Sequence, residues 1–228
     1  MASVLVTGGA GFIGSHIVEL LIEQNYDVFV IDNLSKGSLT NIPSRATFWK
    51  CDIRSQEVKN IFEQHSFEYV IHLAAQTGVN FSNSNPVEDH DINLSGLLNI
   101  LELSRMYGVK RFIFSSSAAT YGNPSGIPIS EDQIQQPISF YGLSKLVGEQ
   151  YIQMYHQIYG LEYVILRYSN VYGPRQNSSH EGGVISIFLE CLNKALPYTV
   201  YGNGKQTRDY IYVKDIAKAN MTALKTSY

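Results

Sequence analysis

The sequence predicts a doubly wound α/β fold built on a parallel sheet, and three observations predict it. Short apolar runs alternate with runs of helical period along most of the chain. Three glycines, Gly8, Gly11 and Gly14, sit between the first apolar run and the first helical one. The helical runs supply the crossovers that parallel strands require, and crossover helices cover both faces of such a sheet.

The elements follow in order. Val4–Val6 is a short apolar strand. From Phe12 to Glu23 the apolar Ile13, Ile17, Leu20 and Leu21 recur at helical spacing. Asp27–Ile31 reads as a second strand ending at Asp32. Strands at Ala46–Lys50 and Tyr69–Leu73 bracket a helix at Gln56–His65. A long helix is expected over Pro86–Tyr107, a strand over Arg111–Ser115, a helix over Tyr141–Tyr159 and a strand over Tyr163–Arg167. Beyond Arg167 the pattern loosens. Tyr168–Gly182 is rich in turn residues. A helix is expected at Val184–Leu192, a strand at Thr199–Tyr201, a turn at Gly202–Gly204, then a segment Tyr210–Val213, and a last helix from near Asp215.

Composition narrows the function classes. The chain has 228 residues, enough for one large domain, and 44% hydrophobic residues, enough for a sizeable core. Its formal net charge of −3, without a long run of either sign, gives no reason to expect nucleic acid or an anionic membrane as partner. No apolar stretch approaches the ~20 residues of a membrane span. The N-terminus lacks a secretory pattern. Cys51 and Cys191 read as free thiols rather than a disulfide framework. A soluble cytoplasmic protein is expected, and no metal ligands are nominated.

Strand, glycine loop and helix together form the context of a nucleotide-binding turn. Gly8 permits the tight turn, Gly11 lets backbone approach a pyrophosphate, and Gly14 allows close helix packing. The N-terminus of the helix, at Phe12 and Ile13, presents free N–H groups and a partial positive charge to phosphate. Asp32, ending the second strand, is placed to accept both ribose hydroxyls of an adenosine, and its charge favours NAD over NADP. Asp52 and Ile53, after the third strand, are placed to bracket the adenine. Leu73, Ala74 and Ala75 follow the fourth strand, where small residues let a cofactor lie close. These segments trace the C-terminal edge of one sheet, where ligands bind in such folds.

Further along, Tyr141 and Lys145 stand at i and i+4 and share one helical face. A phenol with a pKa of ~10 is a poor base at neutral pH, and a nearby ammonium lowers it. In "FSSSAATYG", Phe114 to Gly122, a serine leaving the strand end can hydrogen-bond a substrate hydroxyl beside that tyrosine.

With these residues assembled, the chain resembles the extended short-chain dehydrogenase/reductase family, and within it the nucleotide-sugar 4-epimerases. The matching stretches are TGGAGFIG, Asp32-Asn33-Leu34, Cys51-Asp52-Ile53, HLAAQ, SSSAATYG, YGLSK, LRYSNVYGPRQ and RDYIYVKD, in family order from residue 7 to residue 215. The resemblance implies a Rossmann-like NAD-binding domain at 1–168, with 169–228 an incomplete substrate lobe interleaved with it. It implies a UDP-sugar substrate of the UDP-glucose/UDP-galactose kind.

The resemblance also assigns roles. Tyr141 is the catalytic base, Lys145 holds the nicotinamide ribose and lowers the tyrosine pKa, and Ser117 bridges the sugar 4-hydroxyl. Hydride from C4 passes to NAD and returns to the other face of a 4-keto sugar. Asn33, Leu34, Ser35, Gly37, Asn93, Ser115 and Tyr168 join the cofactor set. Asn170, Val184 and Arg208 join the substrate set, with arginine suited to grip a diphosphate. Family members continue past the helix near Asp215, so this chain looks to lack a C-terminal segment. A homodimer through the helices at 86–107 and 141–159 is expected, from stripes at Leu94, Leu97, Leu98 and Leu101 and at Leu143, Leu146, Val147, Tyr151 and Met154.

The neighbouring activities are a UDP-N-acetylglucosamine or UDP-glucuronate 4-epimerase, a dehydratase, a plain reductase and a non-catalytic NAD sensor. Related dehydratases carry an acidic pair after the catalytic threonine, where this chain has Ala118 and Ala119. A sensor would not need Ser117, Tyr141 and Lys145 together.

Overall fold

A computed structural model describes residues 1–124, 126–177, 183–200 and 202–226. Six parallel strands form the main sheet in the order β3-β2-β1-β4-β5-β6. They are β1 (Ser3–Thr7), β2 (Asp27–Asp32), β3 (Thr47–Lys50), β4 (Tyr69–His72), β5 (Arg111–Ser117) and β6 (Glu162–Tyr168). Pairing is in register from Val4 against Val28 and Tyr69 to Ser117 against Tyr168. The order reverses between β1 and β4, which opens a crevice at their C-terminal ends.

Side chains alternate across this sheet, and both faces are dry. Leu5, Phe29, Ile31, Phe112 and Phe114 face one core, covered by α2 (Glu57–Gln64), α5 (Gly96–Met106) and α6 (Phe140–Tyr159). Val4, Val6, Val28, Val30 and Ile113 face the other, covered by α1 (Phe12–Glu23) and α8 (Val213–Lys225). The sheet core is thus sealed by helices drawn from both ends of the described chain. Arg111, at the start of β5, donates to the carbonyls of Ala223 and Thr226 and ties down the end of α8.

Helix α6 has defined ends. The Ser139 hydroxyl accepts the Gly142 N–H at 3.0 Å, and Gly160 stops the helix at φ +73°. Gly142 is required for packing, since a Cβ there would lie 2.6 Å from the Ala119 carbonyl oxygen.

Several elements depart from the sequence expectation. The helix expected over Pro86–Tyr107 is three pieces: α4 (Pro86–His90), a π-helical turn at Asp91–Ser95, and α5. A short helix α3 (Val79–Ser84) precedes them. The turn-rich stretch after Tyr168 contains β7 (Asn170–Tyr172), paired in parallel with β8 (Tyr210–Tyr212) in a separate two-stranded sheet. α7 covers Val184–Asn193. Thr199 and Val200 form no strand, because no neighbouring strand lies beside them to take their backbone groups, and Tyr201 lies outside the described residues. The last helix begins at Val213 rather than near Asp215, continuing β8 without a loop.

Candidate active site

The glycine loop is shaped by contacts that exclude side chains. Gly8 has φ +74°, a conformation that favours glycine, and a Cβ on it would lie 2.7 Å from the Ala74 nitrogen. A Cβ on Gly14 would lie 2.2 Å from the Gly8 carbonyl oxygen. Leu73 and Ala74 therefore abut the loop directly. Gly11, at the N-cap of α1, offers no side-chain cap, and the first turn carries no acid. The N–H groups at Phe12 and Ile13 open toward the crevice end of the sheet, the arrangement that holds a pyrophosphate.

Asp32 is buried at the end of β2. Its Oδ2 accepts the Ala10 N–H at 2.9 Å and its Oδ1 the Leu34 N–H at 2.8 Å. A carboxylate has about four lone-pair sites, so acceptor capacity remains for a ribose diol. Leu34 takes φ +61°, and Ser35 N–H closes on Asn33 Oδ1. The loop then folds back over the glycine turn, where a Cβ on Gly37 would press on Ala10. Asp52 is gripped by Arg54 through both carboxylate oxygens at 2.9 Å and by Asn33 at 3.0 Å, which holds its carboxyl well below the usual range. Arg54 reaches on to Asp91 at 2.5 Å. The Ile53 side chain does not face the crevice. It is buried in the core against Gly96, and its carbonyl accepts from Asn99, so any adenine contact there runs through its backbone N–H.

Ser117, Tyr141 and Lys145 come together at the ends of β5 and α6. The Ser117 hydroxyl lies close enough to the Tyr141 phenol to lower its pKa, and it accepts the Ala119 N–H at 3.1 Å. Lys145 is buried, with Nζ 2.8 Å from the Ser115 carbonyl oxygen, 4.9 Å from the Phe114 ring and 5.9 Å from the Tyr141 ring. Burial lowers its pKa to about 8, while the charges of Asp89 and Glu149 pull it upward.

The expected depression of the phenol is not built into the chain alone. Burial lifts the Tyr141 pKa above its ordinary value, the Ser117 hydroxyl draws it down, and the Asp89 charge lifts it again. The Lys145 ammonium is directed to the Ser115 carbonyl rather than to the phenol oxygen, which explains the difference.

A polar network behind this trio was not legible in any motif. Asn93 is buried: its Oδ1 accepts the Gln76 N–H at 2.8 Å, and its Nδ2 donates to Gln76, Asp89 and Ser144. Its amide is therefore turned to the protein. On the far side, buried Glu149 takes a two-pronged ion pair from Arg167, with Nη2 at 2.7 Å, and a hydrogen bond from Ser116 at 2.5 Å. Arg167 also donates to the Tyr121 hydroxyl and to the Glu131 carbonyl, fastening the loop between the serine and the tyrosine. The signal that could have revealed Asp89 is its place four residues before Asn93 on the inward stripe that continues to Leu97 and Leu101. Tyr168 is buried, with its hydroxyl accepting from Asn220 at 2.7 Å.

The expected substrate residues lie on the smaller sheet side. Asn170 starts β7, and its Nδ2 donates to the Asp209 carbonyl at 3.0 Å, next to Arg208. Arg208 is exposed, as are Asn170 and Val184, the first residue of α7. Among the described residues no hydrogen bond joins these three to Tyr141.

Among the described residues no group of His, Cys, Asp and Glu could hold a metal ion, and no helix is long and apolar enough to cross a membrane. Cys51 and Cys191 are free thiols.

Known proteins share this arrangement. The model of the NAD dependent epimerase/dehydratase family matches residues 4–227. A Methanocaldococcus jannaschii protein provisionally named a UDP-glucose 4-epimerase is 52% identical over 222 residues, covering 97% of this chain and 73% of the relative. The crystal structure of the Thermotoga maritima UDP-glucose 4-epimerase with UDP-glucose superposes with a TM-score of 0.96 at 46% identity, over 99% of this chain and 74% of that one. The Thermus thermophilus UDP-glucose 4-epimerase complex with NAD gives 0.94 at 44% identity, over 99% of this chain and 75% of that one. With the family model spanning nearly its whole length and relatives of known structure superposing over nearly all of it, the chain belongs to the NAD dependent epimerase/dehydratase family.

Proposed function

We propose that this protein is an NAD-dependent epimerase that inverts C4 of a UDP-sugar of the UDP-glucose/UDP-galactose kind. The observation that carries this is the convergence of Ser117, Tyr141 and Lys145 at the edge of the sheet that also bears the glycine loop and Asp32. The bound cofactor supplies the acceptor, and then the donor, of a hydride at C4.

The chain's residues do the rest. The first turn of α1 would hold the pyrophosphate, and the free lone pairs of Asp32 the adenosine ribose. Ser117 would orient the sugar hydroxyl toward Tyr141, whose phenol oxygen takes its proton and later gives it back. Lys145 keeps a positive charge beside the phenol. Ala118 and Ala119 leave no acid–base pair next to Ser117 for expelling water, which favours epimerisation over dehydration. Asn170 and Arg208 would meet the nucleotide diphosphate.

The outer face of α6 exposes Leu143, Tyr151 and Met154, and this reading makes it, with the 86–107 helices, the interface of a homodimer. On the earlier helix most of the stripe turns inward instead: Leu94, Leu97 and Leu101 are buried against the sheet. Two free thiols fit a cytoplasmic setting.

The test is one incubation of purified chain with UDP-galactose and no added coenzyme. UDP-glucose in the product, with NAD released on denaturation, is expected. A chain that neither retains nor binds NAD would overturn the reading.

A further inference from the structure

Asp89 is a carboxylate at 1% exposure that the chemistry above does not use. It sits on α4, two residues before the π-helical turn. Its Oδ1 accepts from Gln76 Nε2 at 3.2 Å and from Asn93 Nδ2 at 3.1 Å, and the Ser144 hydroxyl is also within its hydrogen-bonding reach. Burial pushes its carboxyl above the usual range, while the two amide donors, the Ser144 hydroxyl and the Lys145 charge pull it back toward the ionised form. Among the described residues no lysine or arginine forms a direct ion pair with it, and Lys145 is the cation whose charge reaches it.

The network runs straight into the first turn of α6. Asn93 donates to Ser144 Oγ at 3.2 Å, and Ser144 Oγ donates to the Tyr141 carbonyl at 2.9 Å. From α3, Ser82 Oγ accepts the Tyr141 N–H at 3.0 Å. The π-helical turn places one extra residue ahead of α5; Asn93 faces inward from it, and Asp89 faces inward from α4 just before it. Such turns recur at functional sites.

We propose that Asp89 is a positioning residue for the proton-transfer tyrosine, acting through Asn93 and Ser144 on the first turn of α6 and through its charge on the Tyr141–Lys145 pair. The inference rests on Tyr141 being the group that exchanges the proton.

The charges around the pair are few. Tyr141 is faced by Ser117 from β5, by Asp89 from α4, and by Lys145 from its own helix. Lys145 is faced by Asp89, by Glu149 on α6 and by His72 on β4, and Glu149 is already paired with Arg167. Among the described residues Asp89 is thus the one negative charge without an ion-pair partner that acts on both members. It opposes loss of the phenol proton and favours retention of the ammonium proton.

The test uses the NAD-loaded chain and reads Tyr141 directly. Phenolate absorbance is titrated in the unaltered protein and in Asp89→Asn, each as a difference from the same protein carrying Tyr141→Phe. Asp89→Asn is expected to move the Tyr141 titration about one pH unit toward acid, the scale of one close like charge. Ser144→Ala keeps the charge and cuts the link. Its Tyr141 titration should stay in place while kcat falls by up to about a hundredfold with KM little changed. Asp89→Ser, which sets no amide against the Gln76 and Asn93 donors, gives the same reading where Asp89→Asn does not fold. An Asp89 variant that holds NAD while Tyr141 titrates at the unaltered pH overturns the proposal. A displaced titration in a chain that makes no UDP-glucose would sink the epimerase reading and leave this inference standing.

Discussion

Tyr141 is held from four directions: Ser117 at its hydroxyl, Ser82 at its N–H, Ser144 at its carbonyl and the Lys145 ammonium near its ring. Replacing it by phenylalanine removes the hydroxyl and leaves all the backbone contacts. Activity is expected to fall by about 10²–10⁴-fold, the usual weight of a positioned acid–base group, with the NAD content of the purified protein unchanged. Coupled assay and cofactor release on denaturation check the two halves.

A second side chain near this site governs acid stability. His72 is buried under Lys145 between the Phe112 and Phe114 rings, and burial lowers its pKa to about 3, with Lys145 adding to the effect. The unfolded chain binds that proton near pH 6.5, so its neutral form supports the fold above pH 6.5. As the pH falls from there toward 3, the unfolded state gains a proton that the folded state refuses. Stability then drops by about 1.4 kcal/mol per pH unit. The Thr7 hydroxyl lies 2.9 Å from His72 Nδ1; denaturant melts at pH 6.5 and 5 should show this slope, and His72→Asn, which keeps an amide for Thr7, should flatten it. The sequence named Tyr141, Lys145 and Ser117 because each belongs to a local motif. It left Asp89, Ser144, Glu149 and Arg167 unnamed because their partners lie far away along the chain, in contacts that exist only once α4, α6 and β6 are packed.

At the glycine loop between β1 and α1, the duties of Gly8 and Gly14 were legible, since the tight turn and the close helix packing expected of them are both steric. Gly14 is the more sharply tested. A methyl on Gly14 would meet the Gly8 carbonyl and the Gly9 Cα, both backbone and unable to step aside. Gly14→Ala is expected to cost about 1–3 kcal/mol by overpacking and to lose bound NAD. A thermal melt and the cofactor content of the purified protein together check it. The helix from Pro86 was legible as helix and not as three pieces. Apolar periodicity reports which face is buried, and a π-helical turn shifts that face by one residue without breaking the apolar run. β7 and β8 were obscured because each is three residues long and its pairing partner lies well away in sequence.

For the molecule as a whole, the sheet order and both cores follow from apolar runs that alternation assigns to opposite faces, which is why the main sheet was readable and the looser part after Arg167 was not. The exposed stripe of α6 gives the expectation for assembly. Leu143 is 44% exposed and Met154 47%, large apolar groups left half open to solvent. Sedimentation of the purified protein should show a dimer. A Leu143→Glu, Met154→Glu double variant should sediment as a monomer with NAD still bound. A dimer surviving both charges would rule out this face.

One feature of the sheet bears on how the chain comes into being. The face formed by Val4, Val6, Ile71 and Ile113 is roofed partly by α1 and partly by α8. At typical rates of about 5–20 residues per second, α8 leaves the ribosome on the order of ten seconds or more after β1. Throughout that interval the nascent sheet carries a bare oily flank. The hazard of sticking to a neighbouring polysome is therefore greatest before the protein is finished, and a folding helper that shields this flank matters more to its yield than any stabilising change in the completed molecule.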